Sequence, residues 1–211
     1  MNAGALDRAA VVRRGQWLEY FTIFYNSLEA IIAIAAGVIA GSIALVGFGF
    51  DSVIEVTSGA ALLWRLRADV DEAGRLRAEN VSIRIVGVCF LVLATYVTYE
   101  ALEVLIAGHA PERSIPGVVL AAISVVVMPL LAHAKRKVAA GIESAAMRAD
   151  ARQTDFCLYL SAILLGGLGL NALFGWWWAD PAAALMMVPI IGREGIEAVQ
   201  GKECGCAGTC H

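Results

Sequence analysis

Apolar residues gather along this chain into six long runs, at about 18–40, 42–64, 81–107, 115–134, 149–173 and 176–199. Each reaches the ~20 residues that a helix needs to cross a ~30 Å hydrocarbon core. The first run is too long for a signal-peptide core and passes straight into the second, which argues against cleavage. Gly41-Ser42 reads as a very tight hairpin, and Ala110-Pro111-Glu112-Arg113 and Trp176-Trp177-Trp178 as turns on the same side. The charged stretch from Leu66 to Asn80 reads as a hairpin on the opposite side. Residues 141–157 are half polar and helical, and extend the fifth span out of the membrane or along a wet cavity. The pattern predicts an all-α integral membrane protein: an N-terminal segment (1–17), a domain of six transmembrane helices (18–200) and a Cys-rich tail (201–211).

Composition supports the same class. Of 211 residues, 59% are hydrophobic and 17% charged, against about 45–50% and about 25% in soluble domains. A soluble secreted domain and an ordinary cytosolic enzyme are excluded. Five cysteines, an odd number with three near the C-terminus, argue against a disulfide framework. The net charge of −3 says little, but its placement orients the chain. Arg8, Arg13, Arg14, Arg65, Arg67, Arg75, Arg77, Lys135, Arg136, Lys137, Arg193 and Lys202 all fall on one side of a six-span arrangement. Only Arg113 lies in a loop on the other, while Arg84, Arg148 and Arg152 sit at first-side ends of spans. Positive loops stay cytoplasmic, so both termini are expected there, with the tryptophans at the opposite interface.

Acids inside spans are functional candidates, because an unpaired charge in lipid costs several kcal/mol. Asp51 and Glu55 lie four apart in the second span and so share a helix face. Two carboxylates so placed share protons or are neutralised by a cation, and packing hydrogen bonds are the plainer alternative. In span 5, Gln153 and Cys157 are also four apart, with Asp150 and Ser161 each one turn beyond. A thiolate favours zinc, cadmium or copper(I) over magnesium or calcium. Alone, Cys157 reads as a small buried hydrophobe and Gln153 as interhelical glue; their joint spacing marks them as ligands. Asp155 faces roughly the other way. Asn26 and Glu29 in span 1 and Glu100 in span 3 are proton-relay or vestibule candidates, with Glu103 nearer the interface. Pairing with Arg84 or Arg148 is the structural alternative. Gly37, Gly41, Gly47, Gly49, Gly166, Gly167 and Gly169 allow close helix approach.

These residues together resemble the cation diffusion facilitator family of zinc and related metal transporters. Gly41-Ser42 followed by Asp51-Ser-Val-Ile-Glu55 is similar to its span-2 pattern, with Glu55 in place of the usual aspartate. Tyr99-Glu100-Ala-Leu-Glu103 and Asp180-Pro181 are similar to its span-3 ending and span-6 start. Ala149-Asp150 and Ser161 hold the register of its span-5 motif, whose His and Asp places are taken by Gln153 and Cys157. The resemblance implies a tetrahedral site of Asp51, Glu55, Gln153 and Cys157. Gln is a weak ligand, so water, Asp150 or Asp155 would complete the shell, Asp155 after a small register change. It implies a short form without the family's C-terminal cytoplasmic domain, so that any homodimer uses membrane helices. Cys204, Cys206, Cys210 and His211 in the tail are candidates for a thiophilic ion, with a redox-sensitive end as the alternative.

The expected activity is proton-coupled efflux of a divalent metal by alternating access, Zn²⁺ first and Cd²⁺ second, in a bacterial inner membrane. The family implies that helices 1, 2, 4 and 5 rock against 3 and 6. Partners are then metal ions, protons and lipid, with no nucleic acid and no resident cofactor. An enzyme is not expected: His-Glu-x-x-His and Asp-Gly are absent, and so is a Walker motif. The rivals are a metal sensor or scaffold that binds without transport, and a carrier for Fe²⁺ or Hg²⁺.

Overall fold

A computed structural model describes residues 3–67, 72–108, 111–142 and 145–200. It contains α1 (Ala3–Ala40), α2 (Ile43–Arg67), α3 (Glu72–Ala107), α4 (Ile115–Ile142), α5 (Ala145–Phe174) and α6 (Ala179–Val199), with no strand among the described residues. Five of the six are long and apolar enough to cross a membrane. The sixth, α6, has 21 residues and so is about 31 Å long. It meets the length but carries Asp180, Arg193, Glu194 and Glu197.

Two boundaries differ from the sequence reading. The N-terminal segment is no separate piece, since α1 starts at Ala3 and its apolar part begins at Ala10. The charged stretch 66–80 is largely helical: α2 continues to Arg67 and α3 already begins at Glu72. Arg, Glu, Leu and Ala are among the best helix formers, so charge alone does not end a helix that leaves the membrane.

The hairpin at Gly41-Ser42 closes as the sequence implies. Gly41 takes φ +65°, where a side chain would be strained, and the Ser42 amide donates to the Gly37 carbonyl at 2.9 Å, the bond that ends a helix in a Schellman turn. Glycine then brings α1 and α2 backbone to backbone: a Cβ on Gly37 would stand 2.9 Å from Val46 N, and one on Gly49 3.0 Å from Ile34 N. Gly167 serves the α5–α6 contact, with Ala183 Cβ 2.5 Å from where its own would lie. Gly166 and Gly169 face open space, so the triplet holds one packing glycine, not three.

The helices pair as α1 with α2, α4 with α5 and α3 with α6. Cross-contacts of α1 with α4 and of α2 with α5 bring those four helices around a common interior. Asp180 at the start of α6 ties this group to its neighbour. It accepts from the Ser42 hydroxyl at 2.5 Å and from the Ile43 amide at 3.0 Å, capping α2 from another helix. The apolar core runs through Leu45, Phe48, Leu93, Leu160, Leu164, Met187 and Ile191.

Candidate metal centre

The interior of the four-helix group is polar in stripes. On α1, Glu19, Thr22, Asn26 and Glu29 recur at three- and four-residue spacing and are all buried. On α5, Asp150, Thr154, Cys157 and Ser161 do the same. This spacing puts each set on one helix face, here the face turned inward. Asp51, Ser52 and Glu55 of α2 meet them.

Cys157 is the meeting point. Its Sγ lies 3.0 Å from Asp51 Oδ2 and 2.8 Å from Glu55 Oε2, and all three side chains are at least 96% buried. One S–H can serve only one carboxylate at a time. Thr154 reaches the same carboxylate from a turn away: its hydroxyl is 2.9 Å from Glu55 Oε1 and 3.2 Å from the Asp150 carbonyl. Among the described residues no three His, Cys, Asp or Glu side chains are spread as a formed metal shell. The Sγ–O separations are those of hydrogen bonds. They are shorter than the ~3.6 Å edge that Zn–S ~2.3 Å and Zn–O ~2.0–2.2 Å bonds would set in a tetrahedral site. The three groups are closed on one another by hydrogen bonds.

Beside this cluster lies a second. Glu29 accepts from the Ser52 hydroxyl at 2.8 Å and from Ser124 of α4, whose Oγ is 2.9 Å from Tyr25 Oη. Glu29 is therefore held by hydroxyls and not by Arg84 or Arg148, both of which are exposed. Asn26 is fully buried, and neither amide atom has a hydrogen-bond partner. Its level follows from the α1–α2 register. Ser52 meets Glu29, and a Cβ on Gly59 would meet Glu19 and Ile23, so Asn26 stands opposite the Glu55 turn.

The remaining candidates separate. Gln153 is only half-buried, its Nε2 has no partner, and Thr154 takes the inward place beside it. Asp150 is engaged by the Lys135 ammonium, which also lies 3.6 Å from Glu19. Asp155 points outward to Arg136, at 2.5 Å. Glu100 is half-buried on α3, and the hydrogen bonds of the two clusters do not reach it. Lys135, counted above with the loop cations, is instead fully buried. The tail candidates Cys204, Cys206, Cys210 and His211 lie outside the described residues. Sequence reasoning passed over Glu19, Ser52, Ser124, Thr154 and Lys135. The full stripes on α1 and α5 are the signal that would have found the first and fourth.

Six packed helices, five of them long and apolar enough to cross a membrane, with acids buried inside a four-helix group, define a multi-pass integral membrane protein. Comparison with known sequences narrows the class. The profile of the cation efflux transmembrane domain matches residues 20–199, and the chain belongs to that family, which is one of transporters, not enzymes. It is 24% identical over 160 residues to an uncharacterized transporter of Synechocystis sp., covering 73% of this chain and 52% of the relative. It is 29% identical over 126 residues to the cation-efflux pump FieF of Shewanella oneidensis, covering 60% and 40%. The chain thus spans about half the length, or less, of these curated relatives. As a multi-pass protein similar to bacterial efflux transporters, it is consistent with the inner membrane.

Proposed function

We propose that this chain exports a divalent cation, Zn²⁺ first and Cd²⁺ second, in exchange for protons, with Asp51, Glu55 and Cys157 as the ligands that hold it. The observation that carries the reading is the thiol of Cys157 set between two buried carboxylates on a facing helix. Oxygen and sulfur donors together select a borderline ion over magnesium, calcium or manganese. Binding needs the thiolate and both carboxylates free of protons, so an entering ion expels protons and returning protons expel the ion. The hydrogen bonds that join the three groups are where those protons sit when no ion is bound. The backbone need not be rebuilt, because the three side chains already converge. Asn26, with both amide atoms unengaged at the Glu55 level, is the nearest candidate for a fourth, neutral oxygen. The skew of Arg and Lys toward one side supports cytoplasmic termini, and protons returning inward would drive the ion outward.

The test is proton and metal flux in proteoliposomes supplied with Zn²⁺, Cd²⁺ or Mn²⁺. Zn²⁺ and Cd²⁺ should drive proton movement, and Mn²⁺ should not. Asp51→Asn should reduce flux by about a hundredfold, the upper end of what loss of a group that orients a metal ligand costs. Cys157→Ser should weaken Cd²⁺ transport more than Zn²⁺, since the harder oxygen disfavours the softer ion. Full flux in Asp51→Asn would overturn the assignment.

A further inference from the structure

The buried ion group of Glu19, Lys135 and Asp150 has no part in the ligand set above, yet it lies within the same four-helix group, about two turns from Cys157 on α5. Glu19 and Lys135 are fully buried and Asp150 is 4% exposed. They come from three helices, α1, α4 and α5, and the ammonium joins both acids. The group is not fully satisfied: both Glu19 oxygens and Asp150 Oδ1 lack a hydrogen-bond partner. Two carboxyls meet one ammonium here, and Glu19 Oε2 and Asp150 Oδ1 are left for a shared proton or a second cation. A buried ion group of this kind is weak evidence of stability by itself, because desolvation offsets much of the attraction.

Position supplies the rest. Asp150 precedes Cys157 by seven residues on α5, about 10 Å along the axis. It lies toward the end of the bundle that holds the α1 N-terminus. Thr154 spans the interval, touching Glu55 with the same hydroxyl that lies near the Asp150 carbonyl. Gly59 leaves the space on α2 that Glu19 occupies, since a Cβ there would stand 3.2 Å from Glu19 Oε2. Packed around the same end is a small apolar cluster of Leu62, Val138, Ala139 and Met147, all buried. From that end inward, the order along α5 is an apolar plug at Met147, the ion group, Thr154, and the Cys157 cluster.

We propose that Lys135 is a tethered cation that locks this end of the path, and that a divalent ion entering there competes with its ammonium for Glu19 and Asp150 before it reaches Glu55. The inference rests on the transport reading for the identity of the moving ion. The lock itself does not, because it sets which side of the membrane reaches Cys157. Lys135 acts here as a positioning residue: it holds α1 and α5 to α4 until a better cation replaces it.

The experiment labels Cys157 in a chain whose other four cysteines, Cys89, Cys204, Cys206 and Cys210, are replaced by serine. A small membrane-impermeant methanethiosulfonate is added, without metal, to right-side-out and to inverted membrane vesicles. Lys135→Met should raise the labelling rate from the α1 N-terminal side at least about tenfold, with little change from the other side. Lys135→Arg should keep the slow rate. Because Lys135→Met leaves two buried acids unpaired, a neutral triple variant (Glu19→Gln, Lys135→Met, Asp150→Asn) is made alongside it. It should show the same one-sided rise. Comparing the two sides removes any change in the thiol's own reactivity, which acts equally on both. An unchanged rate in the triple variant, or an equal rise from both sides, would overturn the lock. One-sided opening together with no metal flux in the parent chain would keep the lock and discard the transport reading instead.

Discussion

The four helices α1, α2, α4 and α5 and the pair α3–α6 are built on opposite principles. The first group encloses Glu19, Asn26, Glu29, Asp51, Glu55, Lys135, Asp150 and Cys157, with hydroxyls of Ser52 and Ser124 on Glu29 and of Thr154 on Glu55. The second packs through apolar side chains such as Leu93, Val97, Met187 and Ile191 and, near one end, through a glycine contact. A Cβ on Gly87 of α3 would stand 2.8 Å from Val199 N and 2.9 Å from the Gly195 carbonyl of α6. In lipid, where apolar burial drives nothing between helices, close backbone approach is one way to hold a pair and polar contact is another. The contrast separates a part whose interior is rich in acids from a part whose mutual contact is mainly apolar. The family's expected motion, with α1, α2, α4 and α5 rocking against α3 and α6, falls along that same division.

The largest effect on stability should come from breaking the charged interior at its single cation. Lys135→Met leaves Glu19 and Asp150 buried without their partner and should cost about 3–5 kcal/mol. The neutral triple variant should recover most of that loss, since it removes the uncompensated charge with the ammonium. Thermal unfolding in detergent, followed by circular dichroism, reads both. If the single variant melts with the parent, Lys135 is not the counter-ion that the geometry makes it.

A smaller loss, with a different signature, is expected on the other side of the comparison. Gly87→Val drives a side chain into the α6 backbone and should cost about 1–3 kcal/mol by overpacking. Metal affinity measured on the folded fraction should stay within about twofold, because no group of the metal centre touches that contact. A change in affinity as large as that of a ligand variant would erase the distinction between the two parts.

Much of this was legible in the sequence because apolar run length and the positions of acids are local facts. Six helices, the Gly41-Ser42 hairpin and the Asp51–Glu55 pair needed no tertiary information. Which residue of α5 faces that pair did need it. Gln153 and Thr154 are neighbours 100° apart on the helix, and either can share a face with Cys157, at i+4 or i+3. Only the packing of α5 on α2 selects Thr154. Lys135 was misplaced for a related reason. It stands in the run Lys135-Arg136-Lys137, which reads as a solvated loop, but α4 continues to Ile142 and turns the first of the three inward while leaving Arg136 and Lys137 exposed. Glu19 went unnoticed because it lies two turns outside a pattern read only at Asn26 and Glu29.

The smallest expected effect concerns the acid that the resemblance left as a rival to Cys157. Asp155 meets Arg136 at 2.5 Å, but the two side chains are 30% and 49% exposed. Exposed pairs of this kind contribute less than about 1 kcal/mol, so Asp155→Asn should shift the melting temperature little. The carboxylate points away from Asp51 and Glu55, and a register shift that brought it inward would have to carry Cys157 and Thr154 out of their contacts. Zn²⁺ flux in Asp155→Asn should therefore remain within about twofold of the parent, while Cys157→Ala falls well below it. The reverse pattern, with Asp155→Asn inactive and Cys157→Ala intact, would mean that α5 turns during transport and that the thiol only marks the resting register.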